Sequence, residues 1–150
     1  MQKYLLFDNI RSLHNVGAIF RTADGAGFDR IYLTGITPHP PREEISKTAL
    51  GAEEWVSWEY YQDPLEIINT LKLQNTQIIA LEQSSTSVDY RALRDMTADV
   101  CIVLGNEIGG VSPEILALAD TTIEIPMLGR KQSLNVATAA GICMYELVRE

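Results

Sequence analysis

The feature that most limits how this chain can fold is the alternation of short apolar runs with stretches of helical spacing. Strand-like runs occupy residues 4–7, 30–34, 56–60, 77–81, 100–104 and 121–125. Helical patterns fill most of the gaps, at 15–26, 43–50, 64–73, 112–119 and 133–149. Runs of this length with a helix after them predict an α/β fold, a mostly parallel sheet flanked by helices. Start signals support the helices: Ser112 precedes Pro113 and Asp63 precedes Pro64, each a cap residue followed by proline at the first helical position. No repeat, linker or low-complexity segment interrupts the pattern, and 150 residues suffice for one domain with a sizeable core.

Charge is the main objection to a nucleic-acid partner. The formal net charge is −8, whereas phosphate contacts make most RNA binders basic. The charge is unevenly spread. Residues 48–71 carry Glu53, Glu54, Glu59, Asp63 and Glu66 with no lysine or arginine. Arg11, Arg21, Arg42, Lys47, Arg130 and Lys131 lie in or beside the loops discussed next. Cys101 and Cys143 sit in apolar surroundings and read as reduced core thiols, and two histidines without clustering give no metal site. No run reaches the ~20 apolar residues of a bilayer span, and the N-terminus lacks a signal-peptide pattern. The cytoplasm is the expected compartment.

Three stretches carry chemistry. The first, NIRSLHNVGAIFRTADGAGFDRIYLTG (residues 9–35), follows the first strand. Val16, Ile19, Phe20 and Ala23 form a buried helical stripe, with Asn15 expected at the N-cap. Gly17 lies four residues before Arg21, and a helical side chain leans back over that position. Glycine costs helix stability, so Gly17 is read as clearing space for a substrate to reach the guanidinium. The bland alternative is a surface arginine on a capped helix. The second stretch, VLGNEIGGVSPEIL (residues 103–116), is a strand, a glycine loop and a helix start, without the lysine or spacing of a P-loop. The third, IPMLGRKQSLNVATAAG (residues 125–141), is a strand end, a polar turn and a helix expected to begin near Ser133, with Ala137, Ala140, Gly141, Met144 and Val148 at helical spacing. His39 in the proline-rich 36–42 loop has no sequence partner, His14 reads as a solvated loop residue, and Trp55 and Trp58 read as core aromatics of a half-buried strand.

Together the three stretches resemble, in order, the signature motifs of the SpoU/TrmH family of RNA ribose 2′-O-methyltransferases, in the SPOUT superfamily. The resemblance covers about residues 4–149. Two departures stand out: Ile108 follows Glu107 where glycine is frequent, and Ala137 stands where many members carry serine.

The resemblance implies a single SPOUT methyltransferase domain over residues 1–150, without a separate RNA-binding extension, whose C-terminal segment threads a deep trefoil knot. It implies S-adenosylmethionine as cofactor, held by Leu81, Gly105, Ile125, Met127, Ser133 and Leu134. Arg21 becomes the main catalytic candidate, beside Asn15, Glu107, Ser133 and Asn135, with Glu107 ordering loops rather than accepting a proton. It implies a homodimer in which Arg21 reaches toward the partner's cofactor, and an RNA substrate, tRNA ahead of rRNA, with an accessory protein as a further partner because the body is acidic. Two other readings compete: a knotted RNA- or cofactor-binding module that has lost methyl transfer, and an unrelated nucleotide-binding α/β domain.

Overall fold

The computed structural model describes residues 1–150. Seven strands form one sheet: β1 (Lys3–Asp8), β2 (Arg30–Thr34), β3 (Ser57–Tyr61), β4 (Gln77–Leu81), β5 (Val88–Asp89), β6 (Val100–Leu104) and β7 (Thr121–Glu124). Their spatial order is β3-β2-β1-β6-β4-β7-β5, and all six pairings are parallel. Five helices cover it: α1 (Leu13–Gly25), α2 (Glu43–Ala49), α3 (Pro64–Leu73), α4 (Pro113–Leu118) and α5 (Val136–Leu147).

Alternation along the strands divides the core in two. Leu5 and Phe7 of β1 face one side with Val100, Ile102 and Leu104 of β6, packed under α1, α2 and α5. Leu6, Cys101 and Val103 face the other, under α3 and α4. Every residue of β6 is buried, as a central parallel strand covered on both faces requires. Both cysteines are free and fully buried. Burial pushes the Cys101 thiol up, and burial with nearby Glu146 pushes Cys143 up to about 12.

Several expectations change. The first helix begins earlier than expected: Ser12 is its N-cap, and its side chain accepts from the Asn15 N–H at 3.1 Å. Asn15 is thus a buried residue of the first turn, and His14 is helical and exposed. The last helix begins later, at Val136, because the Asn135 side chain caps it by accepting from Ala137 N–H at 2.9 Å and Thr138 N–H at 3.2 Å. Ser133 and Leu134 remain in the preceding loop. Ser112 occupies the α4 cap position, but its hydroxyl makes no cap bond; its backbone N–H instead donates to buried Asp8 Oδ2 at 2.7 Å.

Only one tryptophan joins the core. Trp55 is 79% exposed, whereas half-buried Trp58 packs against the core from β3 and stacks on His39 with centroids 5.4 Å apart. Gly17 also has another role. A Cβ there would overlap Thr48 Oγ1 and the Ile45 carbonyl oxygen and lie 3.0 Å from Ala49 N, so the glycine lets α1 and α2 pack backbone to backbone. β5 and the Tyr90–Asp95 3₁₀ segment lie in a stretch where no element was expected.

Candidate active site

The motif loops meet at the carboxyl ends of β4, β6 and β7. There a cavity of about 300 Å³ is lined by residues of 81–83, 104–110, 124–127, 133–136 and 139. Its volume falls at the lower end of the ~300–1,000 Å³ of small-molecule sites. All six residues expected to hold a cofactor line it: Leu81, Gly105, Ile125, Met127, Ser133 and Leu134. Ligands at the carboxyl ends of strands are the rule for open parallel sheets.

Glycine shapes the floor. A Cβ on Gly105 would collide with the backbone of Gly110 and Val111, 2.7 Å from the Gly110 oxygen even at its third contact. The two glycines lie across one another because Asn106 and Gly110 exchange backbone hydrogen bonds of 3.0 and 2.9 Å. Between them Asn106 Oδ1 accepts from the N–H groups of Ile108 and Gly109, each at 2.9 Å. Ile108 has no positive φ and is 88% exposed. Isoleucine in place of the frequent glycine therefore leaves the turn intact.

Glu107 ties two motifs together. One carboxylate oxygen accepts from Arg11 N–H at 2.9 Å; the other accepts from Ser12 N–H at 2.9 Å and from Asn15 Nδ2 at 3.3 Å. Partial burial alone would raise its pKa, but these hydrogen bonds to the charged form hold it below the ordinary carboxylate value. Asn135 Nδ2 donates to Asn15 Oδ1 at 3.2 Å. Asn15, Glu107 and Asn135, one from each motif, thus form a continuous network at the cavity edge. Ser133 lines the wall, exposed.

Arg21 stands apart. It is exposed on α1, in a separate groove with His14, Ala18, Thr22, Gly25, Lys47, Thr48 and Tyr145. The basic residues do not all converge: Lys47 shares the Arg21 groove, Arg42 lies 3.8 Å from Glu44, and Arg130 and Lys131 are exposed on the loop after β7.

Sequence reasoning missed Glu82, Gln83, Asn106 and Glu124, which also line the cavity. Each follows or ends a strand at the ligand-bearing edge, so the signal lay in strand position. Gln83 Nε2 donates to the Gln132 carbonyl at 2.6 Å. No other backbone hydrogen bond inside the chain engages residues 125–134 beyond β7, so this cavity wall presents backbone groups that an occupant can satisfy.

A parallel α/β sheet with a glycine-floored cavity at its carboxyl edge defines a small-molecule-binding domain of the nucleotide-cofactor class. The chain belongs to the SpoU rRNA Methylase family, whose model matches residues 2–145. It is 39% identical over 144 residues to a tRNA (guanosine(18)-2'-O)-methyltransferase of Aquifex aeolicus, covering 95% of this chain and 67% of that protein. Against the Escherichia coli K12 protein of the same name it is 36% identical, covering 95% of this chain and 61% of that one. The fold superposes on an AdoMet-bound rRNA methyltransferase from Sinorhizobium meliloti with a TM-score of 0.92 and 32% identity, covering 99% of this chain and 56% of that chain. The chain thus spans roughly three fifths to two thirds of the curated relatives' length.

Proposed function

We propose that residues 1–150 form a methyltransferase domain that uses S-adenosylmethionine to methylate a ribose 2′-hydroxyl of RNA, with tRNA favoured over rRNA. The observation that carries this reading is the cavity: motif loops distant in sequence form one pocket of ligand size at the sheet's carboxyl edge. Its unengaged loop backbone and apolar walls fit an adenosine-bearing amino acid. The Aquifex and Escherichia relatives are named for 2′-O-methylation of a tRNA guanosine, which favours tRNA. A relative in Vibrio parahaemolyticus, 34% identical, is named for 23S rRNA.

When bound, S-adenosylmethionine supplies an electrophilic methyl whose bond to sulfur breaks, its electron pair staying on sulfur, as the ribose oxygen bonds to carbon. The chain's residues supply position and charge. Arg21 contacts the attacking hydroxyl or the adjacent phosphate as a positioning cation, since a guanidinium carries donors and no acceptor and does not act as the base. A phosphate oxygen of the RNA takes the hydroxyl proton. Ser133 offers a free hydroxyl to the ribose. Glu107, its oxygens already engaged, holds the first and second motifs in register, and Asn15 and Asn135 extend that hold to the start of α5.

The reading includes a C-terminal trefoil knot and a homodimer. Supporting the knot, β4 and β5 are consecutive in the chain while β7 lies between them, so the 82–87 connection passes the end of β7, where the chain must continue toward α5. Supporting the dimer, Arg21 lies in a groove separate from the cavity, and a second copy supplies it across an interface. An accessory protein is consistent with the acidic body, and the cytoplasm with two reduced buried thiols; no helix is long and apolar enough to cross a membrane.

Two measurements test this. Calorimetric titration with S-adenosylmethionine is expected to give saturable binding near one site per chain; a folded protein that does not bind ends the cofactor reading. Arg21→Ala is expected to abolish methyl transfer to RNA while leaving that binding intact, because the Arg21 side chain makes no hydrogen bond within the chain and does not line that chain's own cavity. Normal transfer by the variant refutes the assignment.

A further inference from the structure

The cavity wall carries three carboxylates, Glu82, Glu107 and Glu124, and no lysine, arginine or histidine. Two of the three are already answered by protein donors. Glu82 Oε2 accepts from Val111 N–H at 2.8 Å and Oε1 from Gln83 N–H at 3.1 Å. Glu107 accepts from Arg11, Ser12 and Asn15. Glu124 differs. It is the last residue of β7, half-buried, and its side chain makes neither a hydrogen bond nor an ion pair in the chain. Its carboxylate oxygens keep contact with solvent and have no protein donor, so they are free to attract an occupant that brings positive charge. The exposed cations of the same loop, Arg130 and Lys131, do not line the cavity and do not cancel it.

We propose that Glu124 is a specificity-determining residue of the cavity, selecting the cationic methyl donor over its neutral demethylated product. This inference rests on the reading of the cavity as the S-adenosylmethionine site. At neutral pH that donor carries a sulfonium, an ammonium and a carboxylate, a net charge of about +1. After transfer the sulfur is an uncharged thioether and the net charge is about zero. The two molecules share adenosine and amino-acid parts, so contacts with those parts bind both alike. Charge is what separates them, and an unanswered carboxylate in a wall without cations supplies that discrimination. The device favours release of the product, which would otherwise occupy the cavity with the same shape contacts.

The test is calorimetric titration of wild type and Glu124→Gln with S-adenosylmethionine and with S-adenosylhomocysteine at low salt. Glutamine keeps the shape and removes the charge. The variant is expected to lose roughly five- to tenfold in donor affinity while product affinity stays within about twofold, the size expected of one unit charge acting through a partly solvated wall. Equal losses for both ligands, or no loss for either, overturn the proposal and leave the cofactor reading standing. A wild-type chain that binds neither ligand removes the cofactor reading and this proposal with it. Salt provides a second measurement that needs no variant. The wild-type ratio of donor to product affinity is expected to fall severalfold between about 0.05 and 0.5 M KCl, as screening grows. A ratio that does not move with salt overturns the proposal.

Discussion

Replacing Gly17 with alanine separates two physical accounts of the first motif. On helix propensity alone the change stabilises, since alanine is better than glycine by about 1 kcal/mol in a helix interior. The structure predicts the opposite. The new methyl would overlap Thr48 Oγ1 and the Ile45 carbonyl oxygen and stand 3.0 Å from Ala49 N. The threonine can rotate, at the loss of its 3.0 Å hydrogen bond to the His14 carbonyl. The Ile45 carbonyl is backbone of α2 and cannot, so the helices must part. Overpacking of this kind costs about 1–3 kcal/mol, which exceeds the propensity gain. The clash is with backbone, which puts the cost toward the top of that range, so we expect a net loss of up to about 2 kcal/mol, read in urea as a midpoint lower by up to roughly 1 M at unchanged slope. Gly129→Ala is the control: nothing lies within 4 Å of its Cβ position and its φ is not positive, so stability should hold within about 0.5 kcal/mol. A Gly17→Ala midpoint at or above wild type, with a raised KM for RNA, would refute the packing account and restore the view that the glycine clears room for substrate.

Glu107→Gln turns one of the carboxylate's acceptor positions into a donor facing an N–H group, so it is expected to cost about 1–3 kcal/mol. Because the native pKa is depressed below its ordinary 4.5, Glu107 contributes stability that is present above that value and lost as pH falls through the lower native one. Urea titrations from pH 7 to pH 3.5 should therefore show a shallower acid decline in the variant than in wild type; parallel declines would contradict the assignment. Arg94 pairs with Glu146 at 2.6 Å, pinning the 3₁₀ segment to α5, and Glu146 is only 9% exposed. Arg94→Met should cost about 1–2 kcal/mol by leaving that carboxylate with only the looser Arg149 contact at 3.9 Å, and adding Glu146→Gln should recover part of it. A single variant within 0.5 kcal/mol of wild type would show the pair to be idle.

How much of this was legible in the sequence varies from element to element. β2, α3, β4 and β6 match their expected bounds because each combines a clear periodicity with polar or proline-marked ends. β5 is two residues long and has no period to read. Trp55 looked like core because aromatics favour strands, but it precedes both the expected run and β3 and stands 79% exposed. The helix starts slipped for a single reason, that capping is decided by which side chain finds a free N–H. Ser12 caps in place of Asn15, whose side-chain oxygen accepts from Asn135, 120 residues away, and Asn135 wins over Ser133 because its oxygen reaches two N–H groups at once.

The same distinction runs through the candidate site. The residues named from the motifs all reach the cavity or its edge except Arg21, since motif loops follow strands and strand ends converge in a parallel sheet. Their individual duties were not legible, because a duty depends on partners that the fold alone brings together. Asn15 and Asn135 both look like hydrogen-bonding groups presented to a ligand, yet each has its oxygen or amide spent inside the chain. Glu124 carries no motif signature, yet among the three carboxylates of the wall it is the one left without a protein donor. Side chains already satisfied within the chain hold the cavity's shape; those left unsatisfied, Glu124 and Ser133, are the ones free to meet an occupant. Arg21 is also unengaged but lies in another groove, which is why the proposed reading assigns it to the cavity of a second copy.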